Sequence, residues 1–203
     1  MFSRSRIASL MVSVLAATTI FGTAPAHGGA LSDTDAVILV ATPQFRDPIY
    51  GETILIASPI GEDRHVGFIL NKPTRMTLAE AFPNHDPSKA VRDPLYLGGP
   101  AEVSAIFALV ASNNSPGRGS LQLSPDLFLV VAADTVDRVI ETEAAHARFF
   151  AGAVVWQPGE LHEELKRGAW YVLDPEPEIV LPRKTEGMWQ RLVHRAELRE
   201  KGI

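Results

Sequence analysis

Residues 64–73, Arg-His-Val-Gly-Phe-Ile-Leu-Asn-Lys-Pro, constrain the fold of this chain more than any other stretch. Val66, Phe68 and Leu70 alternate with Gly67 and Ile69, so the segment is apolar on both sides of a pleat. A strand of that kind belongs in the middle of a sheet, covered on both faces. A glycine inside a strand weakens it and usually marks a bulge or a close approach of other atoms, so core packing is expected at Gly67. Asn71-Lys72-Pro73 ends the strand. Pro73 keeps Lys72 out of helical geometry, and Asn71 suits an Asx turn onto the backbone beyond it. The same exit can also offer an amide and a cation to an anionic ligand, so at the end of the strand Asn71 and Lys72 are the residues left for function.

The surrounding pattern supplies the partners for this strand. Apolar runs at 36–41 and 53–58 are each followed by proline, and the short polar link at 61–64 predicts a hairpin between the second run and residues 66–70. Further strands are expected at 95–97, 105–110, 127–131, 149–156, 169–173 and 179–181. Thr77 and Glu80 form the sequence signature of a capping box for a short helix through Phe82. Residues 83–94 and 113–119 read as loops. Helices are expected at 135–148, at 160–167 between Pro158-Gly159 and Gly168, and at 188–200. Their inward faces are Val136, Val139, Ile140 and Ala144, then Leu161 and Leu165, then Trp189, Leu192, Val193 and Ala196. Strands outnumber helices and pair locally, which argues against a doubly wound sheet. The expected class is α+β, with an antiparallel or mixed sheet curled into a pseudo-barrel and flanked by helices.

The N-terminus has the layout of a secretory leader. Arg4 and Arg6 precede an uncharged apolar run at 7–21, and Ala24 and Ala26 stand in Ala-x-Ala spacing. The reading is a signal peptide at 1–26, a loose tail at 27–35 and a single domain at 36–203, exported to the periplasm or secreted, with no stable membrane span after cleavage. The alternatives are an uncleaved membrane anchor and a cytoplasmic protein. Cleavage takes the net charge from −5 to −7, a poor balance for nucleic acid, and no such partner is expected. The chain has no cysteine, which excludes a disulfide frame, a thiol nucleophile and thiolate-ligated metals.

Catalytic motifs are missing. The histidines do not form a His-Glu-x-x-His pair, Ser58, Ser104, Ser112 and Ser124 lack a Gly-x-Ser-x-Gly elbow, and Gly98-Gly99-Pro100 lacks the ending of a P-loop. No metal site and no cofactor is expected, and Gly98-Gly99 is read as a tight turn. Arg191, Arg195 and Arg199 recur every fourth residue but are diluted by Glu197 and Glu200, which describes a solvated helix face. Pairing of the first strands would allow Asp47, Glu52 and His65 to converge.

Four blocks occur in order: Ala41-Thr-Pro-Gln-Phe-Arg-Asp-Pro48, Gly67-Phe-Ile-Leu-Asn-Lys-Pro73, Leu97-Gly-Gly-Pro100, and Phe150-Ala-Gly-Ala-Val-Val-Trp156 through Gly159-Glu-Leu161, Glu164 and Trp170. This succession resembles the YqgE/AlgH family of small bacterial proteins over residues 39–189. The resemblance implies an α+β fold with a pseudo-barrel sheet and brings no settled activity, although some members are labelled regulators of gene expression. The late block departs from the family's Gly-Tyr-Ala-Gly-Trp and Gly-Gln-Leu, and an export leader is unusual for it. The leading expectation is a non-enzymatic binding or interaction module for a protein or a small anionic ligand, with Asp47, Asn71 and Lys72 as ligand-contacting residues. The alternatives are a cytoplasmic regulator and a hydrolase-like small-ligand enzyme built near Asp47, His65 and Asn71.

Overall fold

In the computed structural model, residues 35–202 are described; the leader expected at 1–26 and the tail up to 34 lie outside them. The chain runs β1 (Val37–Ala41), β2 (Ile54–Pro59), β3 (His65–Ile69), β4 (Pro73–Thr77), α1 (Leu78–Ala81), β5 (Pro94–Leu97), β6 (Ala101–Ala111), β7 (Ser120–Ser124) and β8 (Leu127–Val130). It continues through α2 (Ala133–Thr142), β9 (Ala147–Trp156), α3 (Glu160–Lys166), β10 (Trp170–Leu173), α4 (Pro177–Val180) and α5 (Met188–Glu200). The main path of the sheet is β10-β1-β2-β3-β9-β6-β8-β7, with β5 joining β4 to β9. Every pairing is antiparallel except β5 with β9, and the sheet curls into a half-barrel. The expected α+β class and curled, mixed sheet are what the chain adopts.

The segment at 64–73 sits where its pattern places it. β3 lies between β2 and β9, with Gly67 opposite both Ala57 and Val154. Phe68 and Leu70 pack inward against Tyr96 and Phe150, beneath α4 and α5. Ile69 turns to the opposite face with Leu55, Trp156 and Trp170, which Leu161 of α3 covers. A Cβ on Gly67 would lie 2.2 Å from Ile56 O and 2.9 Å from the Trp156 ring, so the glycine marks a close approach of backbone and ring, as expected. A third core joins α1 and α2 to β6, β8 and β9 through Leu78, Val136, Val139, Ile140 and Phe149.

The helix ends follow the sequence signals. Thr77 and Glu80 form a reciprocal capping box at α1, and Gly159 and Gly168 bracket α3 at φ +82° and +69°. Arg195 forms a fork on Glu176, and Arg199 reaches Asp174 at 3.3 Å, so the arginine face of α5 is largely occupied by carboxylates of this chain. Those bonds draw the Glu176 carboxyl below its ordinary range.

Three expectations are corrected. The helix expected at 135–148 stops at Thr142, passes through one 3-10 turn and becomes β9 at Ala147. Its apolar stripe ends with Ile140, and Arg148 instead enters the core from the strand at 3% exposure. The strand expected at 179–181 is a turn of helix, because Pro177 stands at the first helical position, where its missing N–H is no loss. The strands β4 and β7 fall where no strand was expected. Pro73, Arg75 and Met76 of β4 are exposed, and in β7 an exposed Gln122 separates the inward Leu121 and Leu123, so no continuous apolar run marks either strand.

Gly98-Gly99-Pro100 is more than the tight turn expected of it. Gly98 N–H donates to Ala151 O and Gly98 O accepts from Ile69 N–H, both at 2.8 Å, which wedges the residue between β9 and β3. Gly99 lies against the Ala153-Val154 peptide, and Gly152 (φ +73°) lies against Gly99 O and Ala101 O. Three backbones thus cross at glycines. Beside this crossing β6 bulges, advancing from Ala101 to Ile106 while β9 moves only from Ala153 to Ala151.

Candidate functional site

The loop from Thr42 to Thr53 links β1 to β2, and its geometry comes from local chemistry first. Asp47 Oδ1 accepts the N–H groups of Ile49 at 2.7 Å and Tyr50 at 2.8 Å, and Asp47 O accepts Gly51 N–H at 2.8 Å. This is an Asx turn closed by a backbone bond. Thr53 Oγ1 donates to Tyr50 O at 2.6 Å and closes the far end of the loop.

The exit of β3 then holds the loop from outside. Asn71 uses both ends of its amide, Oδ1 accepting from Ile54 N–H and Nδ2 donating to Glu52 O, each at 2.9 Å. Lys72 Nζ donates to Ile49 O. The expected Asx turn at Asn71 is therefore replaced by a long-range clamp, since β4 follows at Pro73 and leaves Asn71 facing the start of β2. Trp189 of α5 donates its indole N–H to Ala41 O at 2.8 Å, and Thr42 Oγ1 donates to Gly168 O at 2.8 Å.

An aromatic group supports the loop from the opposite side. Phe45 and Tyr50 meet Trp170 edge-on, with ring centroids 5.1 and 6.4 Å apart. The indole N–H groups of Trp170 and Trp156 both donate to Glu164 Oε2, at 2.8 and 3.0 Å. One carboxylate oxygen thus ties α3 to both rings, which gives the Trp156, Glu164 and Trp170 positions a packing role. Partial burial, then the Glu164, Asp47 and Glu160 carboxylates, push the Tyr50 phenol upward, so it stays protonated at neutral pH.

Between the loop and α5 lies a cleft of about 230 Å³, lined by Thr42, Pro43, Phe45, Arg46, Asp47, Gly51, Glu52 and Trp189. The structure therefore gathers Asp47, Asn71 and Lys72 at one end of the β2–β3 hairpin. Asp47 lines the cleft, while the amide of Asn71 and the ammonium of Lys72 are directed at loop carbonyls and one N–H. His65 does not join them. It pairs with Pro59 and Trp156 at the other end of the hairpin, so the Asp47, Glu52 and His65 convergence is corrected by the register. His162 meets Asp63 at 3.0 Å near that far end, on the surface.

Arg46 and Trp189 are site residues that the sequence reading did not single out. Arg46 lies within the Ala41–Pro48 block, and its position next to Asp47 is the one sequence signal for it. Nothing in the sequence links Trp189 to that block, because α5 reaches the loop only in the folded chain.

Glu52 adopts φ +58°, a left-handed conformation that costs a residue with a Cβ about 1 kcal/mol or more. Glu52→Gly is expected to raise stability by about 1 kcal/mol, read as a higher urea midpoint with an unchanged slope. A lower midpoint would show that the carboxylate stabilises the loop.

The AlgH-like family profile matches residues 38–200. A UPF0301 protein of Chlorobaculum tepidum is 31% identical over 159 residues, covering 77% of this chain and 83% of its own. A UPF0301 protein of Ruegeria pomeroyi is 28% identical over 163 residues, covering 78% and 89%. Among solved structures, the AlgH protein from Pseudomonas aeruginosa superimposes with a TM-score of 0.66 at 24% identity, over 82% of this chain and 92% of that one. A protein from Corynebacterium diphtheriae gives a TM-score of 0.64 at 20% identity, over 82% and 88%. The two structures speak for the fold alone.

Proposed function

This chain belongs to the AlgH-like family, and we propose that it is an exported, non-enzymatic binding module that takes a small anionic group in the cleft at 42–52. One observation carries the reading. Asp47, Asn71 and Lys72 spend polar atoms on holding the loop, while Arg46 lines the cleft with no hydrogen-bond or ion-pair partner among the described residues. The clamp fixes the frame and leaves a guanidinium to the ligand, an arrangement that lowers the entropy lost on binding. A guanidinium is the side chain best matched to carboxylate or phosphate oxygens. Binding rather than catalysis is favoured because the acid-base reading needed His65 beside Asp47, and the hairpin separates them. Export rests on the leader at 1–26.

Two measurements test the two halves. Titration with acetate and inorganic phosphate, followed by amide NMR, is expected to shift residues 43–52, and Arg46→Met is expected to abolish the shifts. Fractionation with N-terminal sequencing is expected to find a periplasmic chain beginning at His27. An intact Met1 in the cytosol would sink the export half, and unshifted loop amides would sink the binding half.

A further inference from the structure

The same cleft carries both signs of charge. Arg46, Asp47 and Glu52 all line its 230 Å³, yet neither the Arg46 guanidinium nor the Glu52 carboxylate has a partner among the described residues, and they are not paired with each other. Asp47 has one oxygen committed to backbone N–H groups and the other free of them. Arg46 and Glu52 are both exposed, and the loop carries them on one concave lining without an ion pair between them. Trp189, its indole N–H held by Ala41 O, adds a fixed aromatic surface to the same lining. The volume falls below the range of about 300–1,000 Å³ typical of pockets for drug-sized ligands, which suits an occupant near the size of one amino acid.

We infer that the ligand is a small zwitterion, an amino-acid-like molecule whose carboxylate meets Arg46 and whose ammonium meets Glu52 and Asp47 beside the Trp189 ring. The inference rests on the binding reading above and adds the cationic pole to it. A carboxylate ligand alone would satisfy Arg46 and leave two acidic side chains beside its own charge. An amine alone would satisfy Glu52 and Asp47 and leave Arg46 beside an ammonium. A zwitterion answers both poles, and the aromatic wall adds the cation–π attraction open to a desolvated ammonium. The left-handed φ of Glu52 fits this assignment, since a carboxylate is kept where the backbone favours glycine.

The test is an amide and indole NMR titration of the purified protein with two sets of probes. One set is glycine, β-alanine and γ-aminobutyrate, which share both charges at increasing separation. The other is acetate and methylammonium, which carry one charge each. At least one zwitterion is expected to shift Arg46, Asp47, Glu52 and the Trp189 indole with an affinity about tenfold or more above acetate. Glu52→Gln is expected to reduce zwitterion affinity to the level of acetate, and Arg46→Met to remove both. Acetate binding as tightly as every zwitterion, or Glu52→Gln leaving zwitterion affinity unchanged, overturns the zwitterion assignment while the anion-binding reading stands. Absence of shifts with every probe, including phosphate, overturns both.

Discussion

Gly99→Ala is expected to cost about 4 kcal/mol or more, a large share of the stability of an ordinary domain. The new Cβ would lie 2.3 Å from both the carbonyl carbon and the oxygen of Ala153 and 2.6 Å from Val154 N. All three are backbone atoms of β9, the strand that pairs with β3, β5 and β6, so no side-chain rotation can relieve the contact. Moving β9 would disturb three pairings together. Gly159→Ala is the matched control. Its φ of +82° imposes the conformational cost, while nothing lies within 4 Å of the added atom, so a loss near 1 kcal/mol is expected. Urea midpoints of the two variants separate steric from conformational cost. Equal losses would show that the crossing of β5, β6 and β9 is looser than its distances imply.

The second large effect is expected at Arg148. This side chain lies 3% exposed in the core without a carboxylate partner. Nη1 donates to Val180 O at 2.5 Å and Nη2 to Leu70 O at 2.6 Å, and the guanidinium carbon stands 4.0 Å above the Tyr96 ring centroid. Burial pushes its pKa down to about 10, so it remains a cation at neutral pH. Arg148→Met preserves much of the apolar stem and relieves the cost of burying charge. It also strips the donors from two carbonyls, each worth about 1–3 kcal/mol when left unsatisfied, and loses the cation–π contact. The orphaned carbonyls outweigh the relief, and a net loss of about 3 kcal/mol is expected. Leu70 O directly precedes Asn71, so the same variant should also loosen the clamp on the loop at 42–53, visible as faster hydrogen exchange at Ile49 and Ile54. A Met variant as stable as the parent would assign the stabilisation at this site to packing alone. Arg148→Lys, which cannot span both carbonyls, should fall between the two.

The central strand was legible because its constraint is local. A run apolar on both faces has one comfortable place in a sheet, and residues 66–70 announce it without knowledge of the neighbours. The capping box at Thr77 and Glu80 and the glycines around α3 are local in the same sense, since each satisfies backbone groups within one turn. The two missed strands show the limit. β4 and β7 owe their conformation to the strands that pair with them: β4 is largely exposed, and β7 turns only Leu121 and Leu123 inward, too short a pattern to stand out along the chain. The helix that ran too far at 135–148 failed for a related reason. Arg148 suits a helix by propensity, whereas its pairing with Leu109 of β6 and its carbonyl partners at 70 and 180 hold it in a strand.

The candidate site divides along the same line. Sequence alone determined that Asp47 would fall between the first two strands, that Asn71 and Lys72 would leave a buried strand together, and that no familiar catalytic motif was present. Tertiary structure decided their use. The register of β2 against β3 sent Asn71 and Lys72 to Glu52, Ile49 and Ile54 and carried His65 to the far end. The docking of α5 brought Trp189 across 148 residues to Ala41 and closed the cleft beside Arg46. Turn chemistry and strand alternation act over a few residues and can be read along the chain. A cleft is a relation between segments far apart in sequence, and it exists only once the core beneath them has packed.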